Sequence, residues 1–202
     1  MLQEQASYPV SVTGELTDLP SRGWWLLKWL LGIPHYFILF WLWLAFIVVS
    51  IIAFVAILIT ARYPKRLFNF NVGVLRWTWR VSFYSYHALG TDKYPPFSLA
   101  SDDSYPAVLE VPYPGRLSRW RVPVRYLLVI PHCIITGFFQ GSRWGPGLLP
   151  ILAIFGSVAL LFTGKYPPDI FNIVVGMNRW SYRVTAYVAL MTDKYPPFRL
   201  WD

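Results

Sequence analysis

Charge is scarce in this sequence. Asp, Glu, Lys and Arg make up 14% of its 202 residues, where an ordinary soluble domain carries about 25%. That is too few to clothe a water-exposed surface of normal size. Cysteine is nearly absent too: Cys133 stands alone, which excludes an intrachain disulfide and leaves the redox compartment unread. No nucleophile-elbow, zinc-protease or phosphate-loop pattern occurs, and no zinc-finger spacing or other nucleic-acid module is present. These absences point away from an enzyme and from a nucleic-acid binder.

Apolar residues are plentiful, at 55% of the chain, with 19% aromatic. Trp24 to Thr60 forms one apolar block in which Lys28 and His35 are the only Lys, Arg, His, Asp or Glu. A membrane span needs about 20 such residues, so the block reads as membrane-embedded. The leader before it carries Glu4, Glu15 and Asp18 and has no basic start. The block also exceeds the roughly 7–15 residues of a cleavable signal core, so it is expected to stay in the mature protein. The formal charge of +8 comes from basic residues that flank apolar blocks among Trp and Tyr. That is the pattern of cytoplasmic membrane flanks, and the expected partner is anionic lipid rather than nucleic acid.

The strongest signal is an internal repeat. Ile33-Pro34-His35 recurs as Ile130-Pro131-His132, RYPKRLFNFNVGVLRWTWRV (Arg62–Val81) lies over KYPPDIFNIVVGMNRWSYRV (Lys165–Val184), and TDKYPPF stands at Thr91–Phe97 and again at Thr192–Phe198. Tyr8-Pro9 matches Tyr105-Pro106, and Ser21-Arg22 matches Ser118-Arg119. Two tandem homologous units follow, residues 1–100 and 101–202. Their membrane blocks are 24–60 and 122–163, their amphipathic helices 67–89 and 169–190, and their tails 91–97 and 192–198. Each block ends at a Tyr-Pro, where proline stops a helix.

Whether each block is one long helix or a helical hairpin is open from composition alone. Unit two carries GSRWGPG (Gly141–Gly147) within its block, which is turn chemistry. One span per unit divides the basic residues 7 against 10, whereas a hairpin per unit places all 17 on one side with only Arg143 opposite. The positive-inside rule therefore favours hairpins, with both termini, both tails and both arginine stripes in the cytoplasm.

On a helix from Leu67 to Leu89, residues Asn69, Gly73, Arg76, Arg80, Tyr84 and His87 form one narrow stripe, which unit two repeats as Asn172, Gly176, Arg179, Arg183 and Tyr187. Such a helix suits the headgroup plane, with Arg76, Arg80, Arg179 and Arg183 on lipid phosphates. The competing reading pairs those arginines with Asp92, Asp169 or Asp193 inside the protein. His35 and His132 are repeated polar residues inside apolar blocks, and an ionisable group there is a functional candidate by default. They are candidates to converge on a metal or haem, but no carboxylate or second histidine stands nearby at ligand spacing. Asp92 and Asp193 are each followed by a lysine, which favours local pairing.

At these motifs the chain resembles a bacterial membrane family known as domain-of-unknown-function family 4389. The likeness is carried by IPH, the Thr163–Pro167 stop TGKYP, the Gly73–Val81 core GVLRWTWRV and TDKYPPF. It covers nearly the whole chain twice. The resemblance supplies no activity to carry over. Unit one departs from it at the stop, which reads TARYP. The expectation is an all-α, multi-pass integral membrane protein without cofactor or metal. Its expected role is non-enzymatic, as a scaffold or accessory subunit of a membrane or envelope complex with lipid and membrane-protein partners. The alternative is a small transporter or channel component formed between the repeats.

Overall fold

The computed structural model describes residues 8–16, 20–142 and 145–201. Glu4, Asp18 and Arg143 lie outside them. The order of elements is β1 (Ser11–Gly14), α1 (Lys28–Thr60, led in by a 3-10 turn at Trp24–Leu27), α2 (Lys65–Tyr84), β2 (Ala107–Glu110), α3 (Arg121–Leu128), α4 (Ile130–Gln140), β3 (Gly141–Ser142), β4 (Gly145–Pro146), α5 (Leu148–Thr163) and α6 (Pro168–Val188).

Unit one's apolar block is a single helix of 33 residues, about 50 Å long at 1.5 Å per residue. The hairpin expected for this unit does not form. Pro34 is accommodated inside the helix, and the chain turns only at Ala61, which sits at φ 57° ahead of Tyr63-Pro64. Gly164 takes the same left-handed position in unit two, ahead of Tyr166-Pro167.

Unit two's block is broken at the expected glycines, but by extrusion. It runs 97 residues behind unit one at Ile130-Pro131-His132 and 103 behind at Tyr166-Pro167, so six extra residues lie between. They leave the helix as a short antiparallel ribbon, Gly141 facing Pro146 and Ser142 facing Gly145. Gly141 and Gly147 meet at its base, where a Cβ on either would strike the other's backbone. α4 and α5 thus together match α1.

The all-α expectation misses a two-stranded ladder. β1 pairs antiparallel with β2, and Val12 faces Leu109, its own counterpart 97 residues on. A local two-fold axis therefore passes through that pair, and the two units are not separate beads: β2 packs on α2 of unit one, and β1 packs on α6 of unit two. Each unit lends its strand to the other.

α2 and α6 form the centre of the molecule. α2 buries residues around its whole circumference, including Phe68, Asn71, Leu75, Trp79, Arg80 and Phe83, and α6 does the same. The expectation of two helices lying in the headgroup plane is therefore replaced: α2 is packed between α1 and β2, and its low apolar content reflects contacts with protein. Trp79 and Tyr182 meet edge to face across the axis at 5.6 Å. Gly73 and Gly176 admit the backbones of Leu99 and Leu200, the residues that follow the two TDKYPPF tails, against the helix surface.

α1 is the reverse. Only Lys28, Gly32, His35, Leu39, Phe46, Ala53 and Ile57 are buried, a stripe spaced three or four apart until it skips a turn, the signature of a helix seated along one line. The rest of its surface is exposed and apolar, including Phe37, Phe40, Trp41, Ile51 and Ile59. Among the described residues one helical stretch, Trp24–Thr60, is long and apolar enough to cross a membrane, and α5 is a shorter apolar helix.

The two apolar segments run in opposite directions. The Leu117 N–H bonds the Ala61 carbonyl at 2.9 Å, so the approach to α3 lies against the C-terminal end of α1. At the other end of α1, the Arg22 guanidinium lies against Gly164, the end of α5.

Candidate functional site

Each unit builds the same polar box at the N-terminal end of its apolar segment. In unit one the Lys28 ammonium is fully buried and lies 2.9 Å from Asp92. It also donates to the Thr91 carbonyl at 2.6 Å and stands 5.0 Å from the centre of the Tyr84 ring. In unit two Arg125 takes the place of Lys28. It pairs with Asp193, donates to the Tyr187 carbonyl at 3.1 Å, and lies 4.6 Å over the Tyr187 ring. The carboxylates are also held alike: the Ser21 N–H reaches Asp92, and the Ser118 N–H reaches Asp193. A long cation emerging from the first turn of an apolar helix has no water to solvate it. The Thr-Asp-Lys tail supplies the counterion in both units, and the carbonyl a buried charge also requires comes from Thr91 of the tail in unit one and from Tyr187 of α6 in unit two.

One turn or two further along sits the histidine. The Trp77 indole N–H donates to His35 Nδ1 at 3.1 Å, and Trp180 donates to His132 Nδ1 at 2.9 Å. Phe97 stacks on the His35 ring at 4.1 Å, and Phe198 on His132 at 3.9 Å. Tyr94 and Tyr195 close the boxes by donating to the Leu31 and Leu128 carbonyls. An indole N–H can only donate, so Nδ1 carries no proton and the neutral ring bears its proton on Nε2. Nε2 of both rings is buried and has no hydrogen-bond partner among the described residues. To ligate a metal, that nitrogen would first have to lose its proton, or the ring its indole bond. The geometry thus describes a neutral imidazole used as an acceptor. His35 and His132 do not converge: each is enclosed by its own unit's Trp and tail.

The arginine stripe serves the ladder. Arg76 Nε donates to the Leu109 carbonyl at 3.1 Å, and Arg179 Nε donates to the Val12 carbonyl at 2.9 Å. These are symmetry-equivalent bonds onto the strand borrowed from the other unit. Arg183 reaches the Val10 carbonyl and stacks over Tyr8 at 5.3 Å, and Arg80 donates to the Ser98 carbonyl. Arg76 also forms a fork on Glu110 at 2.8 Å. The partners proposed from sequence, Asp92, Asp169 and Asp193, are therefore not the ones the stripe uses. Asp92 and Asp193 belong to Lys28 and Arg125. Sequence reasoning leaves Lys28 and Arg125 unpaired inside the two apolar blocks, although both stand seven residues before the histidine of IPH, a spacing visible in the repeat. Glu110 and the ladder carbonyls, acceptors far away in sequence, give no such signal.

Burial works against ionisation of Asp92, but bonds from Ser21 and Lys28 outweigh it and hold the carboxyl below its ordinary value. A depressed carboxylate contributes its stability in full above the unfolded value of about 3.9 and loses it as pH falls through the lower folded value. Melting in detergent is expected to be flat above that range and to fall below it. Asp92→Asn should lower the plateau and shrink the acid limb; an unchanged limb would assign it to other carboxylates.

Between the boxes, α1 and α4 splay over α2 and α6 and leave a groove of about 1100 Å³. Among the described residues no group of three His, Cys, Asp or Glu is placed to hold a metal ion.

A family model described as Domain of unknown function (DUF4389) matches residues 23–98 and again 119–199. No curated protein and no solved structure matches the chain.

Proposed function

Because the chain belongs to the DUF4389 family, in two tandem copies, and the first presents a long apolar helix outward and the second a broken pair of shorter ones, we propose that it is an integral membrane protein of inverted-repeat architecture. The observation that carries this reading is the burial of α1. A core helix of a soluble protein is covered on most sides, whereas the apolar stretch from Trp24 to Thr60 has 17% of its most apolar window buried. Its counterpart carries the same surface, with Ile134, Phe138, Phe155 and Phe162 exposed. A helix of about 50 Å suits a bilayer of 40–45 Å, headgroups included, at a modest tilt. Trp24, Trp25 and Trp29 then sit at one interface.

A spanning α1 puts its two ends in different compartments. Arg22, Lys28, Lys93 and Lys165 lie at the α1 N-terminal end. Arg62, Lys65, Arg66, Arg116, Arg119, Arg121, Arg125 and Lys194 lie at the other, eight against four, with Arg199 in neither group because the adjoining Leu200 packs on Gly176 midway along α6. The positive-inside rule makes the second end cytoplasmic. Tyr8 bonds the Lys194 carbonyl there, which puts the start of the described chain at the cytoplasmic end in this reading. The two TDKYPPF tails, however, part company. Asp193 is bound by Ser118, next to Leu117 at the end of α1, and Asp92 is bound at its start.

In a Cys133→Ser background, a cysteine at exposed Asp103 is expected to react with an impermeant reagent from outside. One at exposed Arg116 should react only after permeabilisation. Equal labelling of both from one side would refute the crossing, and release of the protein by alkaline carbonate would refute membrane integration.

The role proposed is non-enzymatic, as a scaffold or accessory subunit of a membrane or envelope complex. The Lys28–Asp92 and Arg125–Asp193 pairs and the indole bonds to both histidines support it, since they engage partners of their own units, as does Trp120, 89% exposed at the cytoplasmic end. A retained partner or lipid after purification in mild detergent is the expected finding; recovery of the bare chain alone would count against it. A small transporter component is the second reading, favoured by the inverted relation of the units and the groove on their axis. Solute flux in proteoliposomes separates the two.

A further inference from the structure

The groove between α1 and α4 has a floor that its walls do not prepare one to expect. The walls are apolar and aromatic, with Phe40, Ile47 and Phe54 from α1 and Tyr126, Cys133 and Gly137 from α3 and α4. The floor presents Thr78 and Ser82 of α2 beside Ser181 and Thr185 of α6. These are repeat equivalents, Thr78 with Ser181 and Ser82 with Thr185, so four hydroxyls surround the local two-fold axis.

Their protons are largely committed. Thr78 donates to the Val74 carbonyl at 2.7 Å, Ser181 to Met177 at 2.9 Å, and Thr185 to Ser181 at 2.9 Å. Thr136, on the α4 wall, donates to the His132 carbonyl at 2.8 Å. A hydroxyl offers one donor and two acceptor lone pairs. What Ser181, Thr185 and Thr136 retain toward the groove is therefore acceptor capacity. Among the described residues lining it there is no Asp, Glu, Lys or Arg, so a charged headgroup would enter without a counterion, at high cost.

We infer that this groove binds a neutral membrane lipid whose head is a free hydroxyl, which donates to the lone pairs of Ser181, Thr185 and Thr136 and accepts from Ser82, itself an acceptor from Tyr182 at 3.3 Å, with its hydrocarbon lying between α1 and α4. A volume of about 1100 Å³ lies just above the range of ligand sites, roughly 300–1,000 Å³, and suits a long chain rather than a compact solute. The walls continue into the exposed apolar faces of α1 and α4, so such a ligand enters sideways from the bilayer. This inference rests on the membrane reading above. Diacylglycerols and polyprenols share the required chemistry.

The test uses full-length protein in nanodiscs with photoreactive diacylglycerol and photoreactive polyprenol, each beside its methyl ether, and photoreactive phosphatidylglycerol as the charged control. Hydroxyl probes are expected to label α4 and α6 peptides about five- to tenfold more than the ethers, the ratio that one or two neutral hydrogen bonds supply. Whichever of the two labels more strongly identifies the source. Thr185→Val with Ser181→Ala should bring the favoured probe down to ether level. Gly137→Leu, at a position where an added Cβ meets nothing within 4 Å, should fold normally and abolish labelling by filling the groove. Hydroxyl and ether probes labelling alike, or Gly137→Leu labelling like the natural chain, would overturn the inference and leave bulk lipid in the groove. Carbonate extraction distinguishes that failure from failure of the membrane reading, since the protein would remain in the membrane.

Discussion

Replacing Arg125 by Met is expected to cost about 3–5 kcal/mol, chiefly because it strands a partly buried Asp193; the Tyr187 carbonyl loses one donor but keeps the Leu190 N–H at 3.2 Å. Against a total stability of about 5–15 kcal/mol that is a large fraction, and it should appear as a lower melting temperature and poor yield in detergent. Lys28→Met strands Asp92 in the same way. Arg125→Met with Asp193→Asn should recover part of the loss, since the stranded charge is then gone. Arg125→Lys should fall between, because one ammonium does not reproduce a guanidinium that bonds a carboxylate and a carbonyl at once. Lys28→Arg tests the converse in unit one, where the ammonium already sits 2.9 Å from Asp92. A single Met variant as stable as the natural protein would show that the pair contributes nothing net.

Much of this box was legible in the sequence. Duplication writes each functional spacing twice, so IPH, the Arg-Trp core of α2 and α6, and TDKYPPF stood out before any coordinates. The Tyr-Pro stops marked the ends of α1 and α5 because proline cannot extend a helix. The meeting of His35 with Trp77 and Phe97 was not legible. It depends on α2 folding back along α1 and on the tail crossing the start of α1, contacts that no local period encodes.

The charge rule misled for a physical reason. It counts basic residues in loops beside spans, but Arg76, Arg80, Arg179 and Arg183 are inside packed helices and bonded to protein. Setting those four and Arg199 aside, and placing Lys93 and Lys194 where their tails pack, turns an unhelpful 7 against 10 into four against eight for a single crossing. The ladder escaped notice because SVTG and AVLE are four residues each, too short to show alternation, and their pairing joins residues about a hundred positions apart.

Deleting residues 1–16 tests that ladder and is expected to have the larger effect on the opposite unit. β1 belongs to unit one in sequence but packs on α6 of unit two. Its loss removes the Val12 and Val10 carbonyls from Arg179 and Arg183, and Tyr8 from the Lys194 carbonyl. Hydrogen bonds from charged donors are worth about 1.5–3 kcal/mol each. The Arg179 bond at 2.9 Å, the longer Arg183 contact at 3.5 Å and the burial of Val10 and Val12 together bring the expected cost to about 5 kcal/mol. Unit one loses less on its own side, chiefly the bond from Trp79 Nε1 to the Thr13 carbonyl at 2.9 Å, while Arg76 keeps Leu109 and Glu110. Limited proteolysis of the truncated protein in detergent should therefore cut first in α6 and the second tail, after Arg179, Arg183 or Lys194, with α2 protected for longer. If α2 opens first, or the two helices open together, the strands are not exchanged as energetic units and each repeat stands on its own core.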